Sequence, residues 1–209
     1  MNSYQNEQLE TLTMIRQHLD ALGAAEISKL KIGIEDYLLF RDQVTHFLEN
    51  HFTAICIQKC YQNRLSACCT KDGIITFFAD MVINALVSDN ADLDRLEHAI
   101  RQPADSAKCI YLSETGCGWN IKPVVCEFFL CDEAEKKAFN GNPDALQQWK
   151  KFKNAKQTYT WPDKIVLFEI LERYFMDMGC KSPLMYLHYS PGLVRIRKGR
   201  HTEVSHSGF

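Results

Sequence analysis

The stretch CIYLSETGCGWNIKPVVCEFFLC, residues 109–131, carries four of the nine cysteines in this chain of 209 residues. They are spaced Cys109-x7-Cys117-x8-Cys126-x4-Cys131. A second group of four lies earlier in the chain, in the arrangement Cys56-x3-Cys60-x7-Cys68-Cys69. Two groups of four thiols, separated by an insert of 39 residues, are the feature from which the rest of the sequence is interpreted.

Clustered cysteines in this pattern indicate metal binding. Thiolates are soft ligands that suit zinc, iron–sulfur clusters and copper(I), and four of them complete a tetrahedral coordination shell. The intervals Cys56-x3-Cys60 and Cys126-x4-Cys131 are short enough for neighbouring thiolates to reach one ion. The sequence therefore predicts a metal site, and its candidate ligands are Cys56, Cys60, Cys68, Cys69, Cys109, Cys117, Cys126 and Cys131.

Zinc and an iron–sulfur cluster are both compatible with this pattern. Short ligand pairs favour zinc, and the ferredoxin run Cys-x2-Cys-x2-Cys-x3-Cys is absent. Aromatic neighbours would shield either kind of centre from water: Tyr61, Trp119, Phe128 and Phe129. A buried thiol can also act as a small apolar residue, which is the interpretation adopted for Cys180. Disulfides are a third interpretation and require an oxidising compartment.

The composition and the first residues of the chain give expectations about its cellular location and its partners. The first residues are polar and show no basic and apolar leader, so a cytoplasmic location is expected. Apolar stretches fall short of the ~20 residues of a membrane span, so no membrane partner is expected. Lys plus Arg number 24 against 26 for Asp plus Glu, and this net charge of -2 argues against nucleic acid. The expected partner is a metal ion or cluster, and no protein partner is indicated.

The periodicity of apolar residues predicts a mainly α fold with a few short strands, forming a single compact metal-binding domain with a loop-rich cysteine cluster. An N-terminal helical segment would occupy residues 1–52, and the cysteine-rich metal-binding core residues 53–135. A C-terminal helical segment packed on that core would occupy residues 136–198, and a disordered tail residues 199–209.

Local patterns predict the individual elements. Pro123 is suited to open a helix, and few breakers follow, so one helix is expected over 124–139. Short strands are expected at 74–76 and 193–197, and a hairpin or loop at 108–120. Other helices are expected at 8–22, 34–52, 78–87, 92–102, 144–153 and 162–178, the last capped by Thr160 and closed by Gly179.

Charged residues and histidines near the cysteines suggest no further site. Glu127, Asp132 and Glu133 flank Cys126 and Cys131, and beside anionic thiolates they are expected to face solvent. His188 is expected to be a turn histidine. The basic runs at 150–156 and 195–200 are expected to be solvated faces.

The cysteine-rich stretch resembles the YkgJ-type cysteine-cluster family, which is described as a zinc- or iron-chelating domain. The resemblance rests on Cys68-Cys69, on Cys109 followed by an apolar pair, on the Gly116-Cys117 step, and on Pro123-x-x-Cys126. It covers roughly residues 56–132 and implies metal chelation by the eight cysteines. Lys122 stands where the family usually has Arg, which keeps the charge but loses the bidentate fork.

Three classes of function follow. The leading hypothesis is a protein that chelates zinc or an iron–sulfur cluster through its clustered cysteines. The alternative is an iron–sulfur-dependent enzyme, either a methylase-like group-transfer catalyst or a redox catalyst, by analogy with longer cluster proteins of similar cysteine layout. The third is an adaptor that uses a metal only to hold a binding surface.

Overall fold

A computed structural model describes residues 1–56, 75–103, 109–113 and 116–203. This part of the chain is mainly helical, as the sequence predicts, and its only sheet is a two-stranded hairpin. The elements are α1 (Ser3–Ala21), α2 (Ala24–Cys56), α3 (Phe78–Val87), α4 (Asn90–Arg101), β1 (Leu112–Ser113), β2 (Gly116–Cys117), α5 (Val124–Glu127), α6 (Asp132–Phe139), α7 (Pro143–Thr160), α8 (Leu167–Asp177), α9 (Tyr186–Tyr189) and α10 (Pro191–Glu203).

Local sequence explains where several helices begin and end. Asn2 and Gln5 form a reciprocal capping box that starts α1 five residues before the expected boundary. Asn142 caps α7 and Pro143 occupies its first turn. Gly179 has φ +85°, the left-handed conformation that closes a helix, and Cys180 N–H bonds back to the Phe175 carbonyl.

Helix α3 is the centre of the core, because every residue from Phe78 to Leu86 is buried. It contacts α1, α2 and α8, and α1 also packs on α4. The predicted helix over 78–87 is confirmed with the same bounds. Its continuous burial fits the sequence FADMVINALV, which is apolar except for Asp80 and Asn84.

A layer of aromatic rings joins α2, α7 and the end of α5. Phe128 stacks on Trp149 with ring centroids 5.2 Å apart, and on Phe40 at 6.0 Å. Phe47 stacks on the same Trp149 ring at 5.7 Å. Such offset pairs add to the free energy gained from burying the rings.

The single helix expected over 124–139 is wrong, since the chain forms α5 and α6 with a break between them. Phe128 follows α5 directly and turns into the aromatic layer, so the backbone leaves the helical path there. Helix α6 then starts afresh at Asp132, and three acidic residues in its first turn favour a new helix N-terminus.

Other boundaries also differ from the predictions. Residues 193–197 lie inside α10, so the strand expected there is wrong, and Pro191 opens that helix. Thr160 ends α7 instead of capping the next helix, and α8 begins at Leu167. Ile75 and Thr76 are not in a strand, while residue 74 lies outside the described part. Helix α10 continues to Glu203, into the segment expected to be a tail.

Candidate metal centre

The segment 108–120, expected to be a hairpin or loop, contains a hairpin that carries one of the predicted ligands in a strand and a second one just before it. Strand β1 pairs antiparallel with β2, with Leu112 opposite Cys117. Gly118 N–H donates to the Tyr111 carbonyl at 2.8 Å and extends the pairing beyond the strands. Cys109 therefore lies just before one side of the hairpin, and Cys117 lies at the end of the other.

Backbone N–H groups donate to the sulfur atoms of both cysteines. Tyr111 N–H donates to Cys109 Sγ at 3.4 Å, and the backbone N–H of Trp119 bonds to the Cys117 sulfur. In each case the donor lies two residues after the cysteine. Hydrogen bonds of this kind favour the thiolate form and are a recurrent outer-shell feature of zinc and iron–sulfur centres.

The segment that links Cys117 to Cys126 is fastened to the core by buried polar side chains of α3. Ile121 N–H donates to Asn84 Oδ1 at 3.1 Å, and Val124 N–H donates to Asp80 Oδ1 at 3.0 Å. Asp80 and Asn84 are four residues apart and so lie on one face of α3. That face fixes the backbone that carries the two cysteines.

A second fastening comes from α2. Arg41 is 2% exposed, forms an ion pair with Glu127, and donates from Nη2 to the Lys122 carbonyl at 2.6 Å. Thr45 Oγ1 donates to the other Glu127 oxygen at 3.0 Å, and Arg41 also bonds the Tyr37 hydroxyl. The expectation that Glu127 faces solvent is wrong, because the cation of Arg41 compensates its burial. Asp132 and Glu133 are exposed, as expected.

Burial shifts the acidity of two members of this network. It raises the pKa of Asp80 from 3.8 to about 7, against the opposing effects of Arg41 and of the Val124 and Phe77 N–H donors. It also raises the pKa of Tyr37, so this phenol stays a hydrogen-bonding neutral group. Removal from water penalises the charged form in both cases.

Tyr4, in the first turn of α1, is partly buried beside the hydroxyls of Thr76 and Tyr111. Burial raises the pKa of Tyr4 to about 12, and negative charge on Cys109 and Cys126 adds to this effect. The hydroxyls of Thr76 and Tyr111 act in the opposite direction.

The eight predicted ligands are placed as follows. Cys109 is buried, Cys126 and Cys131 are half-buried, and Cys117 is exposed. None of these four is in a disulfide, and no group of three or more His, Cys, Asp or Glu within the described ranges is arranged to hold an ion. Cys56 is the last residue of α2. Cys60, Cys68 and Cys69 lie outside the described residues. Cys180 is half-buried against the core, as expected.

The aromatic residues expected to shield a metal centre differ in their exposure. Trp119 and Phe128 are buried, whereas Phe129 is 48% exposed. Phe128 and Phe129 lie at the break between α5 and α6, where only one of two adjacent rings can turn inward. Tyr61 lies outside the described part of the chain.

A groove runs along α2 beside this segment. Its volume is about 710 Å³, and Leu38, Leu39 and Ile121 form apolar walls. Lys122 and Glu127 line the same groove, and both act electrostatically on the Cys117 thiol. Although Cys117 as a residue is exposed, the protein atoms around its sulfur displace water and raise the pKa of that thiol, while the Trp119 N–H and the Lys122 cation lower it. The groove therefore adjoins the Cys117 end of the hairpin.

Sequence reasoning missed the buried charges that organise this region. Arg41 lies among the buried residues Tyr37, Phe40 and Val44, and Asp80 interrupts an otherwise apolar helix. A charged residue at a core position is the signal that could have identified both. His188 was also misjudged, since it lies in α9 and its Nδ1 is 2.7 Å from Oε2 of the fully buried Glu172.

Comparison with protein-family models, curated proteins and solved structures finds no match, so the resemblance to the YkgJ-type family stays a prediction. In the part of the chain that the structure describes, no helix has the length and apolar character needed to cross a membrane.

Proposed function

We propose that this protein chelates zinc or an iron–sulfur cluster through its clustered cysteines. The candidate ligands are those given above, four from each group. The observation that carries the proposal is the Tyr111 N–H that donates to Cys109 Sγ at 3.4 Å, because backbone donors of this kind surround metal-bound sulfur.

The chemistry of the donor set fits either metal. Thiolate sulfur is the ligand that zinc and iron–sulfur centres share, and the described cysteines at 109, 117, 126 and 131 form no disulfide. The four do not close a coordination shell among themselves, so the proposal assigns the remaining ligands to the earlier group, Cys56 to Cys69. The resemblance to the YkgJ-type family favours the same assignment.

The proposal is tested by elemental analysis and visible absorption of protein purified without oxygen. Stoichiometric iron with acid-labile sulfide supports a cluster, and about one or two zinc ions in colourless protein support zinc. Cys109→Ser and Cys126→Ser should lower the metal content at least several-fold. Cys180→Ser is the matched control, since this thiol lies outside both groups, and it should leave the metal content unchanged. Metal-free wild-type protein that stays folded with eight reactive thiols rejects the proposal.

The groove favours one alternative function, an iron–sulfur-dependent group-transfer or redox enzyme. A catalyst needs space for a substrate next to its cofactor, and Lys122 and Glu127 connect the groove to the Cys117 thiol. Leu39→Trp would fill the groove. Because Leu39 is 63% exposed, the fold should tolerate this change. Redox or methyl-transfer activity of cluster-loaded protein should then fall with metal content intact. Ile32→Trp, at an exposed position of α2 outside the groove, is the control.

A further inference from the structure

One face of α2 lines the groove and carries exposed apolar side chains at its centre. The α2 residues on this face are Glu35, Leu38, Leu39, Asp42 and Thr45. Their spacing of three, one, three and three positions places them on one side of the helix over about three turns, or roughly 15 Å. Leu39 is 63% exposed, and Val87 on the opposite wall is 37% exposed. An exposed apolar strip rimmed by polar groups is typical of a surface that contacts a partner.

The wall opposite α2 is held rigidly by hydrogen bonds. It contains three consecutive residues, Asn120, Ile121 and Lys122. The backbone of Ile121 and of Lys122 is anchored by the bonds from α3 and α2 described above. Asn120 Nδ2 donates to Asp92 Oδ2 at 2.6 Å and to Ser88 Oγ at 3.0 Å. The groove is therefore preformed, and a ligand that enters it does not have to order this wall first.

The two walls of the groove carry charges of opposite sign. Glu35 and Asp42 are exposed on the α2 wall, on either side of the leucines and about 10 Å apart along the helix axis. Lys122 is exposed on the opposite wall. Within the residues that the structure describes, neither Glu35 nor Lys122 forms an ion pair, and Asp42 has only the exposed His46 at 3.8 Å. These charges are available to a ligand.

We propose that the groove binds an amphipathic helix of a partner protein, with a basic edge of that helix against α2 and an acidic edge against Lys122. Apolar anchors on adjacent turns and charges seven residues apart match the side-chain spacing of a helix that lies along α2. The opposite signs of the two walls set the direction in which the partner helix lies. This inference does not rest on the proposed function, because no described cysteine lines the groove.

The probe is a designed, end-capped, alanine-rich peptide of about 18 residues, a length at which such a sequence is helical in water. It carries leucines along one face, two lysines along one edge at the spacing of Glu35 and Asp42, and glutamates along the other edge. In the control peptide both lysines are replaced by glutamate. Fluorescence anisotropy with the full chain measures the two affinities. We expect the control peptide to bind about 10-fold more weakly, because two attractive contacts become repulsive.

A substitution at the centre of the apolar strip tests the place of binding. Leu39→Glu puts a charge where the peptide leucines would pack, and we expect affinity to fall about 10-fold or more. Ile32→Glu is the matched control, since Ile32 is also on α2 and is 65% exposed but lies outside the groove. It should leave the affinity unchanged. Equal affinities of the two variants would overturn the proposal.

Reversal of the charges on α2 tests the recognition itself. The double variant Glu35→Lys with Asp42→Lys changes only exposed side chains, so it folds even if Leu39→Glu does not, and it should prefer the control peptide. The proposal is rejected if this variant keeps the wild-type preference, or if wild-type protein binds the two peptides equally or binds neither. It is also rejected if the wild-type chain sediments as a dimer that Leu39→Glu makes monomeric, because a second copy then covers the groove.

Discussion

The Arg41 guanidinium and the Glu127 carboxylate form an ion pair in which the side chains are 2% and 4% exposed. The two residues are 86 positions apart, so the pair joins the middle of α2 to the end of α5. Glu127 follows Cys126 directly, and the pair therefore fixes the backbone next to a candidate ligand. The contribution of this ion pair to the free energy of unfolding can be measured independently of metal binding, because neither residue is a candidate ligand.

Breaking this pair from one side should be costly. Glu127→Gln leaves the Arg41 charge buried without its counter-charge, and we expect a loss of about 3–5 kcal/mol in the free energy of unfolding. The double variant Arg41→Met with Glu127→Leu removes both charges and should lose less than the single variant does. Urea denaturation of Arg41→Met, Glu127→Leu and the double variant measures the coupling. Additive losses would show that the two charges do not interact.

Two adjacent aromatic residues provide a matched pair of substitutions. Phe128→Ala removes a buried ring from the stack with Trp149 and Phe40, and we expect a loss of about 3 kcal/mol in unfolding free energy. Phe129→Ala removes a ring that is 48% exposed and should cost about 0.5 kcal/mol or less. Denaturation of both variants tests the break between α5 and α6. Equal losses would mean that the two rings are buried alike.

Asp80 should make stability depend on pH. Its pKa is raised from 3.8 to about 7 by folding, so between these values the folded protein holds a proton that the unfolded chain has released. The free energy of unfolding should therefore fall as pH rises from 4 to 7, and the full penalty is present above pH 7.

Asp80→Asn removes this titration while its amide oxygen can still accept from Val124 N–H. The slope of stability against pH should become less negative by up to about 1.4 kcal/mol per pH unit. Thermal and urea unfolding between pH 4 and 8 measures the slope. Asp163→Asn, at an exposed position, is the control. An unchanged slope in Asp80→Asn would contradict the raised pKa.

His188 should stabilise α9 through Glu172. His188→Ala removes the imidazole that lies 2.7 Å from one oxygen of a fully buried carboxylate, while Leu187 N–H at 3.3 Å still donates to the other oxygen. We expect a loss of about 1–3 kcal/mol. His188→Asn places an amide donor near the position of Nδ1 and should recover part of the loss. If the two variants are equally unstable, packing of the ring is the larger contribution.

Helix positions could be predicted where one face of the helix is apolar or the whole segment is buried. The helix over 78–87 was predicted with its observed bounds. The predictions for α1 and α7 were correct in type, but the predicted helices were shorter than the observed ones. The break after Glu127 could not be predicted, because it depends on Phe128 meeting Trp149, which lies 21 residues further along the chain. Short alternations such as residues 193–197 fit a strand and one face of α10 equally well.

The candidate site also has some features that could be predicted from the sequence and others that depend on tertiary contacts. Cysteine spacing is visible in the sequence, so the ligands could be proposed without a structure. Arg41 and Asp80 act through contacts with residues more than 40 positions away, and a single sequence does not reveal such pairs. Glu127 was expected to face solvent because of its neighbours in the sequence, and this expectation failed because Arg41 on another helix allows the carboxylate to be buried.

The hydrogen bonds from Asp80, Asn84 and Arg41 to the backbone between Cys117 and Cys126 also bear on the entropy of ligand binding. A loop that is already immobilised loses little conformational freedom when its thiols close around an ion. This half of the proposed site is therefore preorganised, and if the protein binds a metal, loosening any of the three anchors should speed its release.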